Sequence, residues 1–342
     1  MPESWLTLSP ADQSEVLEVA SAQSGRPVHL LEKDIWVVWA LAAIYNSPLS
    51  DTLTFKGGTS LSKVYKVIDR FSEDIDLTYD IRELVPDLLR DGNPIPSSSS
   101  HEKKITSAVR NRLPEWIKQT VKPVIEQALW ANGLEAELRL AGKDSDKLII
   151  AYPAIKTGTG YAAATIQLEF GARATGEPHQ RHHVTCDIAP LIENVAFPSA
   201  RPLVMAAERT FWEKATAVHV YCLQGRLRGE RYSRHWYDLA ALAKTAYFDS
   251  AAHNLELARQ VAEHKSMFFV EKDAAGGKVD YFLATSGELR LIPAGLSLDA
   301  LEKDYAAMLE DGLLTFEQPC FDAIMASCTE IQDRVNRLPR RD

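Results

Sequence analysis

The chain has 342 residues, 46% hydrophobic and 25% charged, the make-up of a folded protein with one large core or two intimate ones. Its net charge of −9 argues against indiscriminate nucleic-acid binding, though a local basic patch is compatible with it. No apolar run approaches the roughly 18 residues that cross a bilayer, MPESWLTLSPADQSEV lacks a signal-peptide pattern, and the four cysteines (186, 222, 320, 328) show no zinc spacing, so the expectation is a cytoplasmic protein with free thiols and no membrane partner.

Ser9-Pro10 opens a predicted helix over 10–24. HLLEKDIWVVWALAAIYN (29–46) reads as a strongly apolar, buried helix. Leu53–Lys56 is a short strand and Gly57-Gly58 a tight turn. A helix is expected from Thr59 to about Arg70, then a strand over Ile75–Tyr79. The loop DGNPIPSSSS leads into one long helix, 101–131. Short strands are expected at Glu135–Leu140, Lys147–Tyr152, Ala164–Phe170 and His183–Ile188, in the manner of a meander, with GEPHQRHH as a turn. From Leu203 the pattern is helical almost to the end, except FFVEKDAAGGKVDYFLA (268–284), a small hairpin or an ordered loop. The fold class is therefore α/β (α+β), a sheet core followed by a helical half.

The densest chemistry lies in FKGGTSLSKVYKVIDRFSEDIDLTYD (55–80). Asp74 and Asp76, two apart on a strand, share a face while Ile75 and Leu77 point into the core. Two crowded carboxylates repel unless a cation lies between them. Mg²⁺ (or Mn²⁺), bound through one or two carboxylates plus substrate phosphates, suits such a pair. Upstream, Gly57, Gly58 and Thr59 end a strand and open a helix, where glycine lets backbone N–H groups come close to phosphates, and Ser60 offers a hydroxyl. GKS/GKT is missing, so this is no Walker A loop. HQRHH has three histidines but no supporting carboxylates, and no metal is expected there.

GGTSL followed by RFSEDIDL resembles the nucleotidyltransferase toxins of the AbiEii/AbiGii class, MenT toxins included, within the polymerase-β-like superfamily. Further resemblances are Glu32-Lys33-Asp34, the lysine segment Ala207-Glu208…Glu213-Lys214, and Arg234-His235-Tyr237-Asp238. The resemblance implies a nucleotidyltransferase-fold mixed sheet core with N-terminal helices (1–200) and a helical domain (201–342) that completes the active site. It implies Asp74 and Asp76 as metal ligands and a third carboxylate that activates the acceptor. Glu169 in TIQLEFGAR and Asp187 in VTCDIAP both fit, and Glu169 is preferred. Lys214 is expected on the NTP phosphates with Asp238 as its partner. Arg70 could hold a phosphate, and Ser72 resembles a family serine beside the metal. Phe211, Ala215 and Val218 give the lysine helix a buried face.

Arg226, Arg228, Arg231 and Arg234 crowd QGRLRGERYSRH with only Glu230 opposing them; Tyr232 and Trp236 add stacking surface. This is the candidate RNA grip. The implied activity is transfer of NMP from an NTP to RNA, at the tRNA 3′ end, within a toxin–antitoxin or phage-defence pair that includes a cognate antitoxin. Two alternatives stand beside it: NMP transfer to a protein hydroxyl, and an NTP-binding regulator without turnover.

Overall fold

The computed structural model describes residues 2–72, 74–156, 163–227, 231–310, 314 and 319–338. Its chain forms two compact units. The first comprises Met1–Val64, Ser72–Pro94 and Ile105–Met205; the second comprises Tyr65–Phe71, Ile95–Lys104 and Ala206–Asp342.

In the first unit, helix α1 (Pro10–Ser24) starts at Ser9, whose side chain accepts a hydrogen bond from the Asp12 amide, and stops at Gly25 with φ 70°. Helix α2 (Val28–Tyr45) is buried along most of its length, as its apolar composition predicts. Strand β1 (Leu53–Lys56) runs directly into α3 (Gly57–Lys63), followed by β2 (Asp74–Tyr79). The predicted extension of α3 to Arg70 does not occur. The chain turns away at Lys66, φ 52°, within a segment carrying β-branched Val64, Val67 and Ile68. The long helix is likewise interrupted: α4 (Ser99–Trp116) passes through a π turn, Ile117–Val121, into α5 (Lys122–Ala131). Pro123 has no N–H to bond back to the Gln119 carbonyl, which favours the wider turn there.

Strands β3 (Glu137–Ala141), β4 (Lys147–Ala151), β5 (Thr165–Gly171), β6 (His179–Arg181) and β7 (Leu203–Met205) complete a seven-stranded mixed sheet of order β3-β4-β5-β2-β1-β7-β6. The expected meander holds for β3-β4-β5, which are antiparallel neighbours; β5 then pairs in parallel with β2. Three expectations are corrected. GEPHQRHH is not wholly a turn, because His179–Arg181 pairs with β7. The strand expected at His183–Ile188 shrinks to Val184–Thr185, paired with Ser199–Ala200 outside the main sheet. Leu203–Met205 is a strand rather than the start of a helix, an ambiguity inherent in a short apolar run. Ile75 and Leu77 on β2 and Ile166 and Leu168 on β5 are fully buried. Each stabilises the sheet by about 1.5–3 kcal/mol, and their alternation leaves Asp74, Asp76, Gln167 and Glu169 on the other face.

The second unit is helical: α6 (Ala207–Gln224), α7 (Ser233–Leu242), α8 (Ala246–His253), α9 (Leu255–Phe268), α10 (Leu296–Glu310) and α11 (Phe321–Asn336). Phe211, Ala215 and Val218 form the buried face predicted for α6. The Trp212 indole donates to the Ala251 carbonyl (2.9 Å), tying α6 to α8. Segment 268–284 contains the hairpin alternative, with Lys272 bridged to Lys278 before a 3₁₀ turn at Tyr281–Thr285. Among the described residues no helix is long and apolar enough to cross a membrane.

Candidate active site

The β1–α3 turn is built around Gly57. Its φ is +79°, and a Cβ placed there would lie 2.0 Å from Asp76 Oδ2, so glycine lets this backbone come against the carboxylate without displacing it. Thr59 and Ser60 are fully buried. Thr59 Oγ1 lies 2.5 Å from the Asp74 carbonyl oxygen and 2.9 Å from Ser72 Oγ. Ser60 Oγ donates to the Gly57 carbonyl (2.9 Å). The hydroxyls expected to touch nucleotide therefore hold the turn and the start of β2 together. Gly57 and Gly58 contribute backbone alone.

Strand register sets four charged residues in one row across the sheet. Lys56 on β1 faces Asp76 on β2; Asp76 faces Glu169 on β5; Glu169 faces Lys147 on β4. Direct partners on neighbouring strands project to the same side. In the next row Gln167 partners Asp74, and its amide donates to Asp74 Oδ1 (3.2 Å). Lys147 Nζ is ion-paired with Glu169 Oε1. Burial opposes the Lys147 charge, but Glu169 and then Asp74 outweigh it and hold its pKa above the ordinary lysine value. Among the described residues no three His, Cys, Asp or Glu side chains converge as a finished metal cage. Asp74 and Asp76, half-buried on one face beside a glycine-cleared turn, fit a hard divalent ion that completes its octahedron with substrate phosphates.

Asp187, the other carboxylate considered, belongs to a different cluster. It pairs with Arg26 (2.5 Å) and Lys63 (2.9 Å), and its amide donates to Asp34 Oδ2 (2.7 Å). Lys63 is also ion-paired with the buried Asp34. Burial alone would lower the Lys63 pKa, yet Asp34 and Asp187 hold it above its ordinary value. Lys33 Nζ donates to the Ala163 carbonyl (3.0 Å), and Glu32 Oε1 accepts from the Ile155 amide (2.9 Å). The Glu32-Lys33-Asp34 motif thus anchors α2 to α3 and to the chain near β4 and β5.

In the second unit, Asp238 is fully buried and takes a two-pronged bond from Arg70, Nε to Oδ1 at 2.7 Å and Nη2 to Oδ2 at 2.8 Å. Lys214 Nζ reaches the same Oδ2 at 2.9 Å. Burial pushes the Asp238 pKa up; Arg70 first, then Lys214, outweigh burial and hold it well below the usual carboxylate range. His235, one turn earlier on α7, is pushed down to about 3 by burial and then by Lys214. Glu213, the neighbour of Lys214, pairs with Arg209 (3.2 Å). Lys214 and Asp238 are together, as expected. Arg70, expected to hold a phosphate, is 4% exposed and bound to Asp238.

In the arginine segment the stacking role expected of Trp236 is corrected. Arg226 and Arg231 are exposed and Arg234 half-buried; Arg228 and Glu230 lie outside the described residues. A carboxylate from α10 meets this loop: Asp304 accepts from the Arg231 amide (2.6 Å) and the Ser233 amide (2.7 Å), closing the start of α7. Trp236 is 1% exposed and its indole donates to the Leu291 carbonyl (2.7 Å), so it is core and offers no stacking surface. Tyr232 packs edge-on against Tyr221, ring centres 4.7 Å apart.

Residues 39–327 match the family described as "Nucleotidyl transferase AbiEii toxin, Type IV TA system". The chain belongs to the AbiEii nucleotidyltransferase toxin family. The matched span contains the Gly57 turn, the carboxylate row, Lys214 and Asp238, and begins after Glu32-Lys33-Asp34. Among solved structures the chain is similar to MenT4, nucleotidyltransferase toxin Rv2826c from Mycobacterium tuberculosis H37Rv, at 17% identity and a TM-score of 0.47, covering 97% of this chain and 91% of that one. No curated protein sequence matches. The AbiEii chain is thus a nucleotidyltransferase of the toxin–antitoxin class. Lys56, Lys147, Gln167, Arg26, Lys63 and Asp304 were not singled out by sequence, because their partners come from strand register and distant segments.

Proposed function

We propose that this AbiEii-family nucleotidyltransferase moves an NMP from an NTP to RNA, at the tRNA 3′ end, as the toxin of a toxin–antitoxin or phage-defence pair in the cytoplasm. The carrying observation is the row Asp76–Glu169 with Asp74 on the same face, behind a turn where Gly57 lets the backbone come close to the Asp76 carboxylate. Asp74 and Asp76 would hold Mg²⁺ or Mn²⁺, which when bound neutralises charge developing on the α-phosphate and aligns the in-line displacement. In this reading the backbone N–H groups of Gly57 and Gly58, which open α3, would meet phosphate oxygens. Glu169 Oε takes the proton of the acceptor hydroxyl; the acceptor oxygen bonds to the α-phosphorus, the α–β phosphoanhydride bond breaks, and pyrophosphate leaves. Glu169 is favoured over Asp187 because it stands in register with Asp76 on the adjacent strand, whereas Asp187 belongs to the separate cluster of Arg26, Lys63 and Asp34.

Lys214 serves the triphosphate in this reading, with Asp238 and Arg70 fixing its direction. Arg226, Arg228, Arg231 and Arg234 grip RNA backbone by charge, without help from Trp236. The test is to supply each NTP, labelled at the α-phosphate, with a divalent metal, total RNA and total protein. Label in the tRNA fraction supports the reading. Label in protein alone shifts it to protein NMPylation, and NTP bound without any transfer shifts it to a non-catalytic regulator.

A further inference from the structure

The carboxylate row ends in a lysine on each side, and Lys147 Nζ is ion-paired with the candidate catalytic carboxylate Glu169. Neighbouring strands lie about 4.8 Å apart, so Asp76 and Glu169 face each other at a separation where like charges repel strongly. Asp74 is joined to this group through Gln167, which also contacts Glu169. Three carboxylates thus share one patch of sheet, and Lys147 places a cation against the outermost of them.

We propose that Lys147 is a built-in counter-cation of the carboxylate face: it holds Glu169 in the metal-free protein and is displaced from it when a divalent ion and NTP arrive. This rests on the reading of Asp74 and Asp76 as metal ligands. A cation arriving at this patch meets the repulsion of the ammonium and competes with it for the same field. While Lys147 stays on Glu169, the carboxylate oxygen facing it is occupied by N–H donors and is a poor acceptor for the proton of an RNA hydroxyl. Displacement takes the ammonium off that oxygen, leaving the single Gln167 amide on it, only when metal and nucleotide are in place, which restrains transfer to water or to a badly placed acceptor. Lys147 acts through Glu169 and is a positioning residue.

The experiment measures Mn²⁺ binding to the full chain without NTP, by the electron-spin signal of free Mn²⁺, in wild type, Lys147→Met, Lys147→Arg and Asp76→Asn. Removing the competing charge should tighten Mn²⁺ by roughly tenfold in Lys147→Met, with Lys147→Arg near wild type. A lysine needed only for structure gives the opposite sign, since its loss loosens the site. Unfolding curves confirm the fold; if Lys147→Met fails to fold, Lys147→Gln replaces it with the same expectation. Equal or weaker Mn²⁺ binding in the uncharged variant, where wild type binds and Asp76→Asn does not, overturns the counter-cation role. Wild type and Asp76→Asn alike failing to bind, or binding equally, overturns the underlying metal assignment instead.

Discussion

Gly57→Ala tests the geometry of the site more finely than removing a ligand. The new methyl would sit 2.0 Å from Asp76 Oδ2, 2.8 Å from Cγ and 3.1 Å from Cβ, at a residue whose φ is +79°. The backbone term costs about 1–2 kcal/mol, the ordinary penalty for a side chain in the left-handed region. The carboxylate is the end of a movable side chain, so it can rotate away, and overpacking adds at most a further ~1–3 kcal/mol. Total destabilisation should therefore be modest for a chain of 342 residues, and the protein should fold. Function should suffer far more, because in the proposed site a rotated Asp76 would no longer face an ion shared with Asp74. We expect transfer to fall by at least about a hundredfold, as for displaced groups in other sites, with Mn²⁺ affinity falling too. Denaturant unfolding, Mn²⁺ binding and α-phosphate labelling measure the three quantities. In an Asp76→Ala background the cost to stability of Gly57→Ala should shrink, since Oδ2 and Cγ are gone and only the contact at Cβ remains. A folded Gly57→Ala protein with wild-type Mn²⁺ affinity and transfer would refute the close-approach argument.

Asp74→Ala and Asp76→Ala should each abolish transfer without loss of fold, seen as zero labelling with an unchanged unfolding midpoint. Lys214→Ala should cut NTP binding or turnover, and Lys214→Arg should restore it only in part, because a forked guanidinium cannot replace a point charge at Asp238 Oδ2. Asp238→Asn leaves Arg70 and Lys214 facing a neutral group and should cost about 3–5 kcal/mol. Because the folded-state pKa of Asp238 lies below its unfolded value near 3.9, its stabilisation is present above that value and fades as pH falls; unfolding midpoints against pH should be flatter on the acid side in Asp238→Asn than in wild type. Arg226→Ala, Arg228→Ala and Arg231→Ala combined should weaken RNA binding and flatten its salt slope by about one unit per lost phosphate contact; tRNA labelling equal to wild type across salt would remove the loop from the RNA site.

Local chemistry made much of this readable in advance. Ser9-Pro10 marked the start of α1, and apolar periodicity marked α2 and the buried side of α6. Alternation around Asp74 and Asp76 gave their shared face. What depends on distant pairing was hidden. No local feature shows that β5 lies parallel to β2, so the Asp76–Glu169 pairing and the flanking Lys56 and Lys147 could not be read. Trp236 looked like a stacking ring because aromatic residues beside arginines suit nucleic acid; its burial is set by the Leu291 carbonyl, 55 positions away. The two bonds from Arg70 to Asp238 were hidden for the same reason, since the two residues lie 168 positions apart.

The most direct measurement is the sequence of tRNA 3′ ends after incubation with each NTP and Mg²⁺, in wild type and Asp76→Ala. The account predicts 3′ ends lengthened by one or more nucleotides with wild type, from at least one NTP, and ends left unchanged by Asp76→Ala. Unchanged ends with active wild-type protein, or equal lengthening by both proteins, would contradict it.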